Sequence, residues 1–124
     1  MIDVRNLTKR YGRHSAVNDI SFHVGSGQIV GFLGPNGAGK TTTLRMLTGY
    51  LPPTSGSAEV AGYDIFRQSL KARRKIGYMP ENVPLYLDMR VREYLRYRAQ
   101  LKGLTGKEAR NNIWDAMELC GLID

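Results

Sequence analysis

A glycine-rich stretch followed by lysine and threonine carries the clearest chemistry in this sequence. Residues 34–42 read Gly-Pro-Asn-Gly-Ala-Gly-Lys-Thr-Thr, which fits the phosphate-loop pattern G-x-x-x-x-G-K-[ST] at every fixed position. Residues 28–33 before it are apolar and β-prone, and residues 41–47 after it are compatible with a helix. Strand, loop and helix follow in the order that phosphate binding requires, which disfavours an accidental Gly-Lys-Thr turn.

Each residue type in this loop has a predicted task. Glycines let the backbone curl, because glycine tolerates positive φ and has no Cβ to block a phosphate. The helix N-terminus offers unpartnered N–H groups and positive potential. We expect the Lys40 ammonium to reach the phosphates and the Thr41 hydroxyl to ligate Mg²⁺. The predicted binding residues are Gly34, Asn36, Gly37, Ala38, Gly39, Lys40, Thr41 and Thr42.

Composition is typical of a globular chain of one domain or part of one. The 124 residues are 42% hydrophobic and 23% charged, without an apolar run of bilayer-spanning length or a signal-peptide pattern. A cytoplasmic location is the resulting expectation. The single cysteine, Cys120, excludes an internal disulfide, and we expect it to be buried on an apolar helix stripe. The net charge of +7 allows nucleic-acid or membrane contacts, although charged outer helix faces also explain it.

Periodicity predicts a mixed α/β first part and a helical last part. Strands are predicted at residues 20–24, 29–33, 57–61 and 76–79, and the second of these reads as buried on both faces of a parallel sheet. Helices are predicted at 41–47, 65–75 and about 89–102, the last capped by Asp88. A final helix follows the capping-box spacing at 105–108.

Four local matches make the chain resemble the ATP-binding subunit of an ABC transporter. They are the phosphate loop at 34–42, Leu-Thr-Lys-Arg-Tyr-Gly at 7–12, Pro-Pro-Thr-Ser-Gly at 52–56, and Ile-Gly-Tyr-Met-Pro-Glu at 76–81. The sequence from Pro80 to Leu95 is similar to that of the family's drug-export and gliding-motility branch. The resemblance implies an α/β P-loop NTPase fold with N-terminal antiparallel strands, a partial parallel core sheet and the start of a helical subdomain. It places the ATPase core at 1–85 and the helical subdomain at 86–124.

The resemblance adds three residues to the predicted site. It implies that Tyr11 stacks on adenine, where an aromatic contact contributes about 1–3 kcal/mol per base, and that Val17 lines the same pocket. It implies that Glu81 contacts Mg²⁺ and takes part in catalysis with Lys40, where the family usually has Gln. A carboxylate is an equally hard oxygen ligand but would repel an unshielded γ-phosphate. An ordinary strand role for Tyr11 and a solvated-loop role for Glu81 stay open.

The sequence contains no signature motif, no second apolar strand ending in Asp-Glu and no switch histidine. In the family these groups complete the phosphate clamp and position the attacking water. Because phosphoryl transfer depends on such positioning, we expect this segment to bind ATP with Mg²⁺ and to turn it over slowly or not at all.

The leading interpretation is the ATPase component of an exporter. It would pair with a second ATPase subunit and with a separate transmembrane permease at the inner face of the membrane. An ABC-type ATPase acting on nucleic acid or ribosomes is the alternative, disfavoured because we identify no stacking platform or reading helix. A non-catalytic nucleotide-binding fragment is the third interpretation.

Overall fold

A four-stranded antiparallel sheet organises the first of the two units into which the chain divides. The structure is a computed structural model that describes residues 1–83 and 85–123. The two units are Met1–Tyr78 and Met79–Asp124. The sheet order is β2-β1-β3-β4. The strands are β1 Ile2–Tyr11, β2 His14–Val24, β3 Ser55–Val60 and β4 Tyr63–Asp64. The predicted strands at 20–24 and 57–61 are therefore confirmed.

A bulge in β1 lets two core side chains face the same way. Val4 and Leu7 are 2% and 0% exposed, although residues three apart point to opposite faces of a regular strand. The pairing with β2 shifts register between these residues, and Asn6 adopts φ 49°. The extra residue of the bulge restores Leu7 to the core face. The Asn6 side-chain amide donates to Asp19 at 2.8 Å across the strand pair, which stabilises the bulge.

Helix α1, Lys40–Leu47, packs its buried face into the core beneath the sheet. Met46 and Leu47 are buried there, together with Thr43. The helix ends as predicted next to Gly49, where the Tyr50 N–H donates to the Arg45 carbonyl at 2.9 Å.

Helix α2 is shorter than the predicted span 65–75 and comprises Ser69–Arg74. The Asp64 carboxylate accepts hydrogen bonds from the N–H groups of Phe66 and Arg67, each at 2.8 Å. These bonds hold the preceding residues in a turn, so the helix begins only after it. Ile65 is nevertheless fully buried, which explains the apolar periodicity at this end of the predicted helix.

The predicted strands at 29–33 and 76–79 do not form, and the partial parallel sheet is absent from the described residues. Ile29 is 102% exposed and Leu33 is 92% exposed, whereas the prediction placed this run inside a sheet. Met79 is likewise 85% exposed. A strand requires a neighbour that satisfies its N–H and C=O groups. All strand pairs of the described chain are antiparallel and none includes these two segments.

Two helices pack together in the second unit. They are α3 Val91–Leu101 and α4 Gly106–Leu119. The predicted Asp88 cap is wrong, because Arg90 is the N-cap and its N–H donates to the Glu93 carboxylate at 3.0 Å. Glu93 at N3 accepts from the N–H of the N-cap residue, whereas an Asp88 cap would have accepted from N–H groups inside the first turn. Thr105 is the N-cap of α4 as predicted, but its side chain makes no capping hydrogen bond.

The single cysteine is exposed instead of buried. Cys120 follows the last turn of α4, where its N–H donates to the Ala116 carbonyl at 3.2 Å. Ala116 and Met117 on the same helix face are half-buried, so burial decreases toward the helix end. Among the described residues, no helix has the length and apolar character needed to cross a membrane.

Replacing Gly56 by alanine should destabilise the first unit strongly. Gly56 has φ 87°, and an added Cβ would lie 2.3 Å from the Asn6 carbonyl oxygen. We expect Gly56→Ala to lower the free energy of unfolding by about 3 kcal/mol or more, because positive φ and backbone overlap both contribute.

Gly62→Ala is the matched control. Gly62 has φ 79°, but an added Cβ there would meet nothing within 4 Å. We therefore expect only the backbone cost of about 1–2 kcal/mol. Urea unfolding of both variants measures the difference, and equal losses would contradict the close approach of β3 to the β1 bulge.

Candidate functional site

The phosphate-loop sequence opens helix α1 through a left-handed glycine. Gly39 is the N-cap residue with φ 87° and ψ 6°, and Lys40 is the first helical residue. The N–H of Thr43 donates to the Gly39 carbonyl at 2.9 Å, which is the first hydrogen bond of the helix. The N–H groups of Lys40, Thr41 and Thr42 therefore precede the helical ladder. They form the positive end of the helix, where an anion would be favoured.

Gly39 is also the point at which the loop touches the sheet. An added Cβ on Gly39 would lie 2.3 Å from the Ala16 carbonyl oxygen and 3.0 Å from a Val17 methyl carbon, Cγ2. Any other residue would push the loop away from β2. The glycine is thus required both for its conformation and for this contact. Sequence reasoning predicted the first requirement and missed the contact with Ala16.

The other two glycines of the loop differ from one another. Gly37 has φ 83°, as the prediction for a curled loop requires. Gly34 is not among the residues with positive φ, but a Cβ there would lie 3.1 Å from the Cβ of Ala38. The missing side chain at Gly34 therefore leaves room for the loop to close on itself, and left-handed backbone is confined to Gly37 and Gly39 within this motif.

The Lys40 ammonium lies across the loop that precedes it. Its Nζ donates to the Gly34 carbonyl and to the Pro35 carbonyl, the latter at 2.8 Å. The loop is closed further by the Ala38 N–H, which donates to the Pro35 carbonyl at 3.2 Å. An ammonium has three donors, so one remains available while these two bonds persist. The loop therefore holds a cation and the start of a helix dipole in one place.

Three consecutive threonines follow the lysine and differ in burial. Thr41 is exposed at the helix start, in keeping with a hydroxyl that could reach a metal ion, and Thr42 is half-buried. Thr43 is only 2% exposed, and its Oγ1 donates to the Gly39 carbonyl at 2.9 Å. This residue was not predicted to matter. The signal was its position four residues after the N-cap glycine, where a threonine can reach that carbonyl.

Tyr11 and Val17 occupy different surroundings. Tyr11 ends β1, is 51% exposed, and has the Lys9 ammonium 5.2 Å from its ring centroid. An exposed ring at a strand end is available for stacking, and its use for adenine stays a prediction. Val17 is 5% exposed in the core next to Gly39. It supports the loop from β2, and its contact with a nucleotide also stays a prediction.

Glu81 lies outside the unit that carries the loop. It is an exposed residue at a bend in the second unit, while residues 34–42 belong to the first. Its predicted contact with Mg²⁺ therefore remains a prediction. Pro84 lies outside the described residues. It belongs to the sequence that resembles the exporter branch.

Removing the Thr43 hydroxyl should loosen the first turn of α1. We expect Thr43→Val to lower the free energy of unfolding by about 1 kcal/mol, since one intramolecular hydrogen bond is lost. Hydrogen exchange should accelerate at the amides of Thr43 and Leu44, next to the loop.

Thr48→Val provides a control at the C-cap of the same helix. The Thr48 hydroxyl donates to the Leu44 carbonyl at 2.8 Å, and Thr48 is also buried. This variant should lose similar stability and leave exchange at the loop end unchanged. Equal acceleration at the loop end in both variants would show that Thr43 has no special role there.

Comparisons with known proteins agree with the resemblance drawn from the motifs. The model of the family described as ABC transporter matches residues 17–124. The chain is 39% identical over 124 residues to linearmycin resistance ATP-binding protein LnrL of Bacillus subtilis, covering 100% of this chain and 40% of that protein. It is 40% identical over 122 residues to bacitracin transport ATP-binding protein BcrA of Bacillus licheniformis, and the match covers 98% of this chain and 39% of that protein. The chain thus spans less than half the length of these relatives.

Solved structures show the same fold. A putative ABC transporter ATP-binding protein from Pyrococcus furiosus superposes with a TM-score of 0.78 at 32% identity, covering 99% of this chain and 58% of that one. A dimeric ATP-binding cassette bound to ADP and Pi superposes with a TM-score of 0.82 at 23% identity, covering 100% and 59%, and this likeness concerns the fold alone. The predicted fold class, an α/β P-loop NTPase of the ABC ATPase type, is confirmed. The chain belongs to the ABC transporter family and corresponds to part of its ATP-binding domain.

Proposed function

We propose that residues 34–42 bind the phosphates of MgATP and that the chain is part of the ATP-binding subunit of an exporter. The observation that carries the proposal is the geometry at Gly39. The left-handed backbone of Gly39 starts α1 directly after the loop, and the Lys40 ammonium lies over the loop residues. Loop amides, helix N-terminus and lysine are the three elements with which phosphate loops bind triphosphates.

The polar groups around the loop suit a phosphate anion that carries a bound Mg²⁺ ion. Those from Lys40 to Thr42 comprise N–H groups, an ammonium and exposed hydroxyl oxygen, without a carboxylate inside the motif. Phosphate oxygens would replace the Gly34 and Pro35 carbonyls as partners of the Lys40 Nζ, because a charge-assisted bond is the stronger one. The Thr41 hydroxyl would be the protein ligand of Mg²⁺, with Glu81 as the second candidate. Bound Mg²⁺ would supply neutralisation of the phosphate charge.

Tyr11 at the end of β1 would contact the adenine base. The Tyr11 ring is exposed on the unit that holds the loop, and Val17 connects β2 to Gly39. Stacking of adenine on Tyr11 would contribute about 1–3 kcal/mol and would not discriminate strongly between bases. We therefore expect phosphate contacts to dominate affinity and the tyrosine to modulate it.

Coupling to export rests on the family and on the names of relatives. Proteins similar to this chain are named for linearmycin resistance, bacitracin transport and probable multidrug transport. We propose that the complete subunit pairs with a second ATPase subunit and drives a separate transmembrane permease. Its location would then be cytoplasmic and peripheral to the membrane. The Lys40 loop of one subunit would face the signature motif of its partner.

Turnover by these 124 residues alone should be small. The described loop offers groups that bind and neutralise phosphate, but the sequence has neither a signature motif nor an Asp-Glu strand end to orient water. Because hydrolysis depends on water positioning as well as charge stabilisation, binding without appreciable turnover is the expected behaviour.

Removing the Lys40 ammonium tests the proposal. Hydrogen bonds to charged groups contribute about 1.5–3 kcal/mol, so Lys40→Ala should weaken MgATP binding by about tenfold to a hundredfold. Isothermal titration calorimetry of the 124-residue chain measures the affinity, and circular dichroism verifies that the variant is folded.

Lys107→Ala is the matched control. Lys107 is an exposed lysine on α4, outside the unit that carries the loop, and its loss changes the net charge equally. MgATP affinity should stay within about twofold of the parent chain, as expected for a surface charge. Equal affinity of the Lys40→Ala variant and the parent would reject the assignment of the loop.

A further inference from the structure

Three arginines converge on a cleft between the two helices of the second unit. Arg92 and Arg96 lie one turn apart on α3, and Arg110 lies on α4. The cleft has a volume of about 240 Å³. Three side chains of α4 complete its lining and give it an apolar floor: Ile113, Trp114 and Met117.

The guanidinium groups of this cleft have no carboxylate partner in residues 1–83 and 85–123. The ion pairs found there, Arg5–Asp3 and His23–Asp3, both belong to the first unit. Glu93, the acidic residue closest in sequence to Arg92, accepts a hydrogen bond from the Arg90 N–H. Like charges four residues apart on a helix repel one another. Arg92 and Arg96 therefore lie together at a cost that an external anion would offset.

The positive charge is local to the cleft. The second unit carries seven Lys and Arg and seven Asp and Glu residues, so its formal charge is zero. Nucleic acids and anionic membranes are bound mainly through extended basic surfaces, and a formal charge of zero does not favour such partners for this unit. A few carboxylates at fixed positions suit this arrangement better, because guanidinium groups bind carboxylates through paired hydrogen bonds.

The floor of the cleft adds an apolar requirement. Trp114 is 49% exposed, and Ile113 and Met117 are half-buried. The volume is below the roughly 300–1,000 Å³ of typical small-molecule pockets but suits one large side chain. Tryptophan and arginine are also the residues most often found at energetically dominant positions of protein interfaces.

We propose that this arginine cleft docks an acidic segment of a partner protein in which carboxylates flank one large apolar side chain. The apolar side chain rests on Trp114, and the carboxylates pair with Arg92, Arg96 and Arg110. The proposal does not depend on the nucleotide site, which lies in the other unit, and its test uses no nucleotide.

Trp114 is the only tryptophan of the chain and therefore reports binding directly. The probe is a synthetic dodecapeptide in which glutamates flank a central Leu-Phe pair, titrated into the 124-residue chain at low salt. We expect a saturable blue shift of the Trp114 emission as the indole leaves water. The shift should be lost for a peptide with glutamine in place of glutamate, and it should weaken with added salt.

Two triple variants with the same charge change isolate the cleft. Arg92→Gln/Arg96→Gln/Arg110→Gln should weaken binding of the acidic peptide by about tenfold or more. Arg13→Gln/Arg98→Gln/Lys107→Gln removes three cations that do not line the cleft and should change affinity by less than about twofold. Circular dichroism of both variants verifies that the helices are retained.

Other results would overturn the proposal. They include an unchanged Trp114 emission, equal binding of the glutamine peptide, and equal weakening by the two triple variants. Stronger emission changes with phosphatidylserine vesicles or single-stranded poly-U RNA than with the acidic peptide would assign the arginines to a membrane or to RNA instead.

Discussion

The close approach of Gly39 to β2 is the constraint on which the candidate site depends. The left-handed backbone of Gly39 sets the direction of α1, and the Ala16 carbonyl fills the space where a side chain would be. The Thr43 hydroxyl and N–H both donate to the Gly39 carbonyl and hold the same residue from the helix side. Sheet, loop and helix therefore meet at one residue, and the N–H groups after it are presented in a fixed direction.

The same constraint links the packing of the sheet to the position of the loop. Val17 is buried in the core formed by Val4, Leu7 and Met46, and it also touches the space beside Gly39. A change in the β1–β2 pairing would thus displace the loop, even though no strand residue belongs to the motif. Preorganised N–H groups bind anions well because they need no rearrangement when the ligand arrives.

Motif and turn chemistry could be predicted from the sequence, because local residue types determine them. The loop, helix α1 to within one residue of its start, the end of α1 near Gly49 and the strands at 20–24 and 57–61 follow from glycine positions and residue pattern, whereas β1 was not predicted from alternation. The predictions of strands at 29–33 and 76–79 were wrong. A strand depends on a hydrogen-bonded neighbour, and the local residue pattern does not show whether that neighbour is present. The predicted burial of Cys120 was wrong for a different reason: the helical periodicity continues to residue 120, but the end of the helix is exposed.

The cap of α3 and the role of Thr43 illustrate a finer limit. Both Asp88 and Glu93 could accept a hydrogen bond near the helix start, and only the backbone geometry selects Glu93. For Thr43, a run of three threonines does not by itself indicate which hydroxyl is buried. Side-chain position within a turn of helix is a three-dimensional property, so these details required the structure.

Amide chemical shifts measured by ¹H–¹⁵N NMR during titration with MgATP test the central claim most directly. If the phosphate loop binds the triphosphate, the largest saturable shifts will fall on residues 36–42, with the Gly39 and Lys40 amides among them. Smaller shifts should appear near Ala16 and Val17, and those of α4 should be negligible. Absence of saturable shifts in the loop of a folded chain, or shifts confined to other regions, would contradict the account.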